Sequence, residues 1–194
     1  KINLLTNHNL AHPTVMIRKQ ILKEKQLSYD TSYTTAQDYE LWVRMFECCL
    51  FANLPEPLVK YRTHKKQKSL TDGYRSIIES KLILGQFFKK LKFPFDEVDL
   101  DIHWKIFTGN GIDSLEIIKV FKYINRLRMH NLNEKIFNPT NFNEFLRIKW
   151  RRFMLNKKSK ILYWISSLLF FRPVQYSRII RNRMYLDMIN KNIT

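Results

Sequence analysis

In AQDYELWVRMFECCLFANLPEPLVKYRTHKKQKS, residues 36–69, the hydropathy pattern changes period midway. Leu41, Trp42, Met45, Phe46 and Cys49 recur at the spacing of one helix face, so this side of a helix is predicted to face the core, with Asp38 in its first turn. Beyond it, FANL (51–54) and PLVKYR (57–62) are short, β-prone and bounded by Pro or polar turns, which predicts strands. HPTVMI (12–17) reads the same way. Cys48 and Cys49 are the two cysteines of the chain. A bridge between neighbours would be strained, so they form no disulfide framework and suit a reducing compartment.

After residue 70 almost everything reads helical. Thr71 or Asp72 can cap a helix whose Ile77, Ile78, Leu82, Leu84, Phe87, Phe88 and Leu91 recur at helical spacing until Pro94 ends it. FDEVDLDIHW (95–104) reads as a helix start. Its Asp99-Leu100-Asp101 spells DxD, but acids in a first turn are favoured by the helix dipole, and that is the reading adopted. Asp113-Ser114 opens another helix, with Leu115, Ile118, Phe121, Ile124 and Leu127 as its apolar stripe. A third follows Asn138-Pro139, and 158–171 and 174–189 read as two more, separated by Pro173. The fold class expected is α+β, mainly α, with an α/β portion at 1–70 and a helical region at 71–194. No internal repeat or low-complexity tract is present.

The 194 residues carry 34 Lys+Arg against 17 Asp+Glu, a formal charge of +17. With 14% aromatics and only four Gly and six Pro, general disorder and collagen-like composition are excluded. The basic character lies in the second half: residues 81–194 hold 22 Lys+Arg and 9 Asp+Glu, and no acidic residue occurs from 145 to 186. The longest strongly apolar run, 161–171, is eleven residues, short of the roughly 20 a helix needs to cross a bilayer. The first residue is Lys, and the opening lacks the apolar stretch and cleavage site of a signal peptide. The chain is therefore read as starting partway through a longer protein.

Three motifs occur in order over about sixty residues: His12-Pro13-Thr14-Val15-Met16, then Asp38-Tyr39-Glu40-Leu41-Trp42 with Arg44, then Tyr61-Arg62-Thr63-His64 followed by Gln67 and Ser69. This series resembles the second half of the catalytic domain of family-2 glycosyltransferases, inverting enzymes of the GT-A fold. The resemblance implies Asp38 as general base, since it matches the second acid of the family's acidic pair. Gln37 stands where the first acid is usual. It also implies His12, Thr14 and Arg62 at the donor or acceptor, and His64 as a metal ligand or a neighbour of the donor diphosphate, with Lys65 and Lys66 close by. The expected cofactor is Mn²⁺ or Mg²⁺, the donor a nucleotide sugar such as a UDP-sugar, and the acceptor a glycan or lipid-linked glycan in cell-surface polysaccharide synthesis. The family's N-terminal half, with its nucleotide-binding strands and metal-binding DxD, has no counterpart before Asp38. The expectation is a fragment that lacks the donor-binding half, inactive alone, whose α/β portion takes its partner strands from the missing half.

Sugar transfer to an alcohol requires that a proton leave the hydroxyl as its oxygen attacks, and a positioned carboxylate serves that step. The bland role for Asp38 is complementing the helix N-terminus, worth about 0.3–1 kcal/mol. His64 and its basic neighbours read equally as a solvated loop, and His12 as the residue that orients the HPT turn.

The basic tail is read from physics. In RIKWRRFMLNKKSKILYWISSLLFF (147–171), Trp150, Phe153, Leu155 and the run from Ile161 interleave with basic residues, as in an interfacial helix on anionic lipid. The competing reading is a helical bundle with a solvated basic face. A cytoplasmic protein in peripheral contact with the membrane is expected. A membrane-associated or nucleic-acid-binding helical module without catalysis is the alternative. Nucleic acid is set aside because no helix-turn-helix, zinc-finger or RRM motif is present and the motif series would go unexplained.

Overall fold

The computed structural model describes residues 1–6, 10–62, 64, 71–109 and 116–156. Their ordered elements are 3₁₀ turns at Ile2–Thr6 and His12–Thr14 and the helices α1 (Lys19–Glu24), α2 (Gln37–Arg44), α3 (Gly73–Lys90), α4 (Glu97–Thr108), α5 (Ile117–Glu134) and α6 (Pro139–Asn156). The described chain is mainly helical, as its sequence predicts. It divides into two compact units, Lys1–Asn110 and Gly111–Thr194. Among the described residues no helix is long and apolar enough to cross a membrane.

In the first unit α3 packs against α2 and α4, and both of these also touch the Ile2–Thr6 turn. The seam is aromatic. Phe46 meets Phe87 edge-on at 5.1 Å, and Phe88 meets Phe93, Phe95 and His103 in the same geometry. Burying each such ring contributes about 1.5–3 kcal/mol. Two side chains then fasten the N-terminal turn: the Tyr39 hydroxyl donates to the Leu4 carbonyl at 2.8 Å, and His103 Nε2 lies 2.7 Å from the Leu5 carbonyl. A carbonyl only accepts, so Nε2 of His103 carries the proton, and the ring stacks on Phe107 at 3.8 Å.

Helix α4 starts as its acids predict. Asp96 caps Asp99 N at 2.7 Å and the Asp99 carboxylate returns to Asp96 N, a capping box. It ends at Gly109, whose φ of 88° is the left-handed cap that glycine adopts without steric cost.

Three expectations are corrected. No strand forms among the described residues: 12–14 is a 3₁₀ turn, and 15–18, 51–54 and 57–62 pair with no neighbour. β-Prone composition makes an extended segment, but a ladder requires a second chain segment alongside to exchange hydrogen bonds. On α3 the buried face is Glu79, Ser80, Ile83, Leu84, Phe87 and Phe88, while Ile78 and Leu82 are 51% and 54% exposed. A carboxylate that hydropathy assigns to water has set the register of that face. On α5 the buried stripe is Val120, Tyr123, Ile124 and Leu127, with Ile118 exposed. Asp113, Ser114, Leu115 and the helices expected at 158–171 and 174–189 lie outside the described residues.

The second unit is a hairpin of α5 on α6. Asn131 clasps the turn with both ends of its amide, donating to the Phe137 carbonyl at 3.2 Å and accepting from Phe137 N at 2.8 Å. From α6, Phe142, Leu146, Trp150 and Phe153 are fully buried. Trp150 and Phe153 are therefore core residues rather than members of an interfacial face.

Glu79 organises the first unit. Its carboxylate accepts from Thr34 N and Oγ1, Thr35 N and Oγ1, and Ala36 N at 2.7–3.2 Å, and pairs with Arg75 Nε at 3.1 Å. Burial alone pushes its carboxyl up, but the hydroxyls and amides of Thr35 and Thr34 outweigh this and hold it well below the usual carboxylate range. Glu79→Gln is expected to destabilise the chain by about 3 kcal/mol in urea unfolding at pH 7, because donors are left facing an amide N–H. With the folded pKa depressed below the unfolded value of about 4.3, the Glu79 contribution is complete above that pH and is lost as the pH falls below it toward the folded pKa. The gap between parent and variant therefore narrows on acidification. A gap of constant size would contradict this role.

Candidate active site

The Thr34-Thr35-Ala36 segment held by Glu79 is the approach to α2, and Asp38 is the second residue of that helix. The Asp38 side chain is half-buried and its Oδ1 accepts from Tyr39 N at 2.8 Å. One turn of helix thus presents the carboxylate from a fixed backbone. The interior side of α2 carries Leu41, Trp42, Met45 and Phe46, as predicted, whereas Cys49 is only half-buried, since the helical turns have given way to a loop there. Both cysteines are free thiols. Gln37 Oε1 and Trp42 Nε1 are buried without a hydrogen-bond partner, so α2 bears two polar atoms at an unmatched cost of about 1–3 kcal/mol each.

Farther along α2, Arg44 holds Glu40 with two bonds, Nε to Oε1 at 2.6 Å and Nη2 to Oε2 at 2.7 Å, and Nη2 also donates to the Ser28 carbonyl. The hydrogen bonds and charge of Glu40 raise the Arg44 pKa further against the opposing effect of burial. Fixing Ser28 fixes Tyr29. The Tyr29 hydroxyl lies 2.9 Å from His12 Nε2, and the two rings meet edge-on at 5.5 Å. Burial and, second, the negative charge of Asp38 push the Tyr29 phenol up. His12, found from the motif series, is therefore held by a tyrosine that no sequence motif marked and that lies within reach of the Asp38 charge. Its only sequence trace is a lone aromatic in the polar segment SYDTSY (28–33).

A cavity of about 950 Å³ opens beside α2, between the 10–18 segment and the 50–59 segment, floored by Trp42, Met45, Cys48 and Cys49. Thr14 lines it, with its hydroxyl spent on the Ala11 carbonyl at 2.8 Å, which closes the HPT turn. Arg62 and His64 are exposed, and neither they nor Asp38, His12 and Tyr29 line this cavity. Lys65, Lys66, Gln67 and Ser69 lie outside the described residues.

Among the described residues no three His, Cys, Asp or Glu side chains form a group able to hold a metal ion. The DxD at 99–101 is committed elsewhere: Asp99 closes the capping box, and Asp101 pairs with Lys81 at 3.1 Å and Lys105 at 2.7 Å. Burial opposes its ionisation, and these two lysines nevertheless hold the Asp101 carboxyl below its ordinary value.

No family model matches the chain, and no solved structure matches it. Two curated proteins are similar to it in sequence. It is 27% identical over 119 residues to an uncharacterized glycosyltransferase of Haemophilus influenzae, covering 61% of this chain and 35% of that protein. It is 30% identical over 116 residues to an uncharacterized glycosyltransferase of Methanocaldococcus jannaschii, covering 57% of this chain and 37% of that protein. The chain thus spans little more than a third of the relatives it matches.

Removing the charge of Asp38 with its shape kept is expected to shift the Tyr29 titration. In Asp38→Asn the phenol pKa moves down toward the ordinary tyrosine value, read from the ¹³Cζ shift of labelled Tyr29. An unmoved titration would show that the carboxylate does not act on this hydroxyl.

Proposed function

We propose that the chain is part of a glycosyltransferase, an inverting, sugar-nucleotide-dependent enzyme of family 2 with a GT-A fold, and that Asp38 is its general base. The reading rests chiefly on one observation: a half-buried carboxylate on the first turn of a helix whose start is clamped by Glu79, the same helix whose Trp42 lines an open cavity. The glycosyltransferase names of both relatives support the class.

In this reading the acceptor hydroxyl attacks the anomeric carbon of the donor. A new C–O bond forms as the bond to the nucleoside diphosphate breaks, and the hydroxyl proton passes to Asp38. Tyr29 and His12, hydrogen-bonded to each other, offer polar groups to acceptor hydroxyls. Thr14 lies on the cavity wall, and Arg62 attracts the diphosphate. The acceptor is a glycan, free or lipid-linked, of a cell-surface polysaccharide, and the donor a nucleotide sugar such as a UDP-sugar. The Mn²⁺ or Mg²⁺ of such enzymes, with His64 as a candidate ligand, finds no three-ligand group among the described residues, and no step is derived through it.

A general base contributes about 10²–10⁴ in rate. Asp38→Asn, made in the protein as its source cell produces it, is expected to lower kcat for transfer by that factor and leave donor affinity nearly unchanged. Retained turnover would remove Asp38 from the role.

A further inference from the structure

The exposed face of α6 is unlike its buried one. Ile148, Arg151, Arg152 and Leu155 fall at i, i+3, i+4 and i+7, which puts them on one stripe, and all four are exposed, Ile148 at 55% and Leu155 at 52%. The opposite stripe, Phe142, Leu146, Trp150 and Phe153, is consumed by the hairpin core. Two large apolar side chains flanking two arginines on a solvent-facing stripe therefore have no role in the fold of the hairpin.

The charge around them is unbalanced. Glu144 is the last acidic residue before Asp187, and Arg147 already occupies both of its oxygens. Lys149 is drawn down from its ordinary pKa by burial and then by its neighbour Arg152, two cations crowded on one turn. In sequence α6 is followed by Lys157, Lys158 and Lys160 and then by the apolar run 161–171, with no carboxylate among them. A surface that matches this chemistry is flat, anionic at its face and apolar beneath it.

We propose that the Ile148–Arg151–Arg152–Leu155 face of α6 docks on an anionic lipid surface, with the arginines at the headgroups and Ile148 and Leu155 reaching the acyl boundary. This binding is peripheral, since among the described residues no helix can span a bilayer. It is independent of the catalytic reading, because none of these residues belongs to the unit that carries Asp38.

Each basic residue near such a surface contributes about fivefold to partitioning, and the attraction is screened by salt. The test is co-sedimentation of the full 194-residue chain with vesicles of phosphatidylcholine alone and with 30% phosphatidylglycerol. The parent is expected to bind the mixed vesicles and not the neutral ones. Arg151→Glu with Arg152→Glu is expected to weaken binding at least tenfold, and Ile148→Asn with Leu155→Asn about tenfold. All four positions are exposed, and unchanged far-ultraviolet circular dichroism verifies the helices of both variants. Equal binding to neutral and anionic vesicles, or parent-like binding of the folded variants, would overturn the assignment. Retention on a duplex oligonucleotide without vesicle binding would overturn it too, by giving the face to a phosphate backbone.

Discussion

The first unit depends on a carboxylate that has left water. Glu79 sits on the core side of α3 and gathers three backbone amides and two hydroxyls from 34–36, more than forty residues earlier in the chain. An ion is tolerated there because nearly every acceptor position is filled; with fewer donors the desolvation cost would favour the neutral acid or an apolar replacement. The same bonds do a second thing. They supply partners for the amides leading into α2, whose own first residues offer no side-chain cap, and so decide where the helix begins.

Where α2 begins decides what its ends present. Asp38 comes out at the first turn, and one turn later the Glu40–Arg44 pair reaches across to Ser28 and brings Tyr29 to His12. The cavity lies on the same helix, over Trp42 and Met45. The carboxylate of Asp38 and the apolar floor of the cavity thus share one support, with Asp38 itself outside the cavity lining.

Local patterns were legible in the sequence where one residue type has one outcome. Asp96 and Asp99 announced a helix start and form its capping box; Pro139 opens α6; and the apolar spacing of Leu41, Trp42, Met45 and Phe46 marked the inner side of α2. Asp38 was legible only through its place in an ordered motif series. What escaped the sequence is non-local. Hydropathy cannot tell that Glu79 turns inward, because the donors that make this favourable come from Thr34 and Thr35. Tyr29 likewise becomes part of the site only through Arg44. The β-prone segments at 12–17, 51–54 and 57–62 mislead for the same reason, since composition reports readiness to pair and not the presence of a partner. For Trp150 and Phe153 the local pattern leaves an interfacial helix and a packed bundle both open, and helical geometry, which turns aromatics and basic residues to opposite sides, decides for the bundle.

The proposed reaction is a single displacement in which Asp38 takes the proton of the acceptor hydroxyl. The anomeric configuration of the product, read by proton NMR as it forms from a nucleotide sugar of known configuration, tests this most directly. One direct attack predicts a product of the opposite configuration to the donor at the earliest time points. A product that keeps the donor's configuration would require two displacements or a front-face route, and would contradict the role given to Asp38.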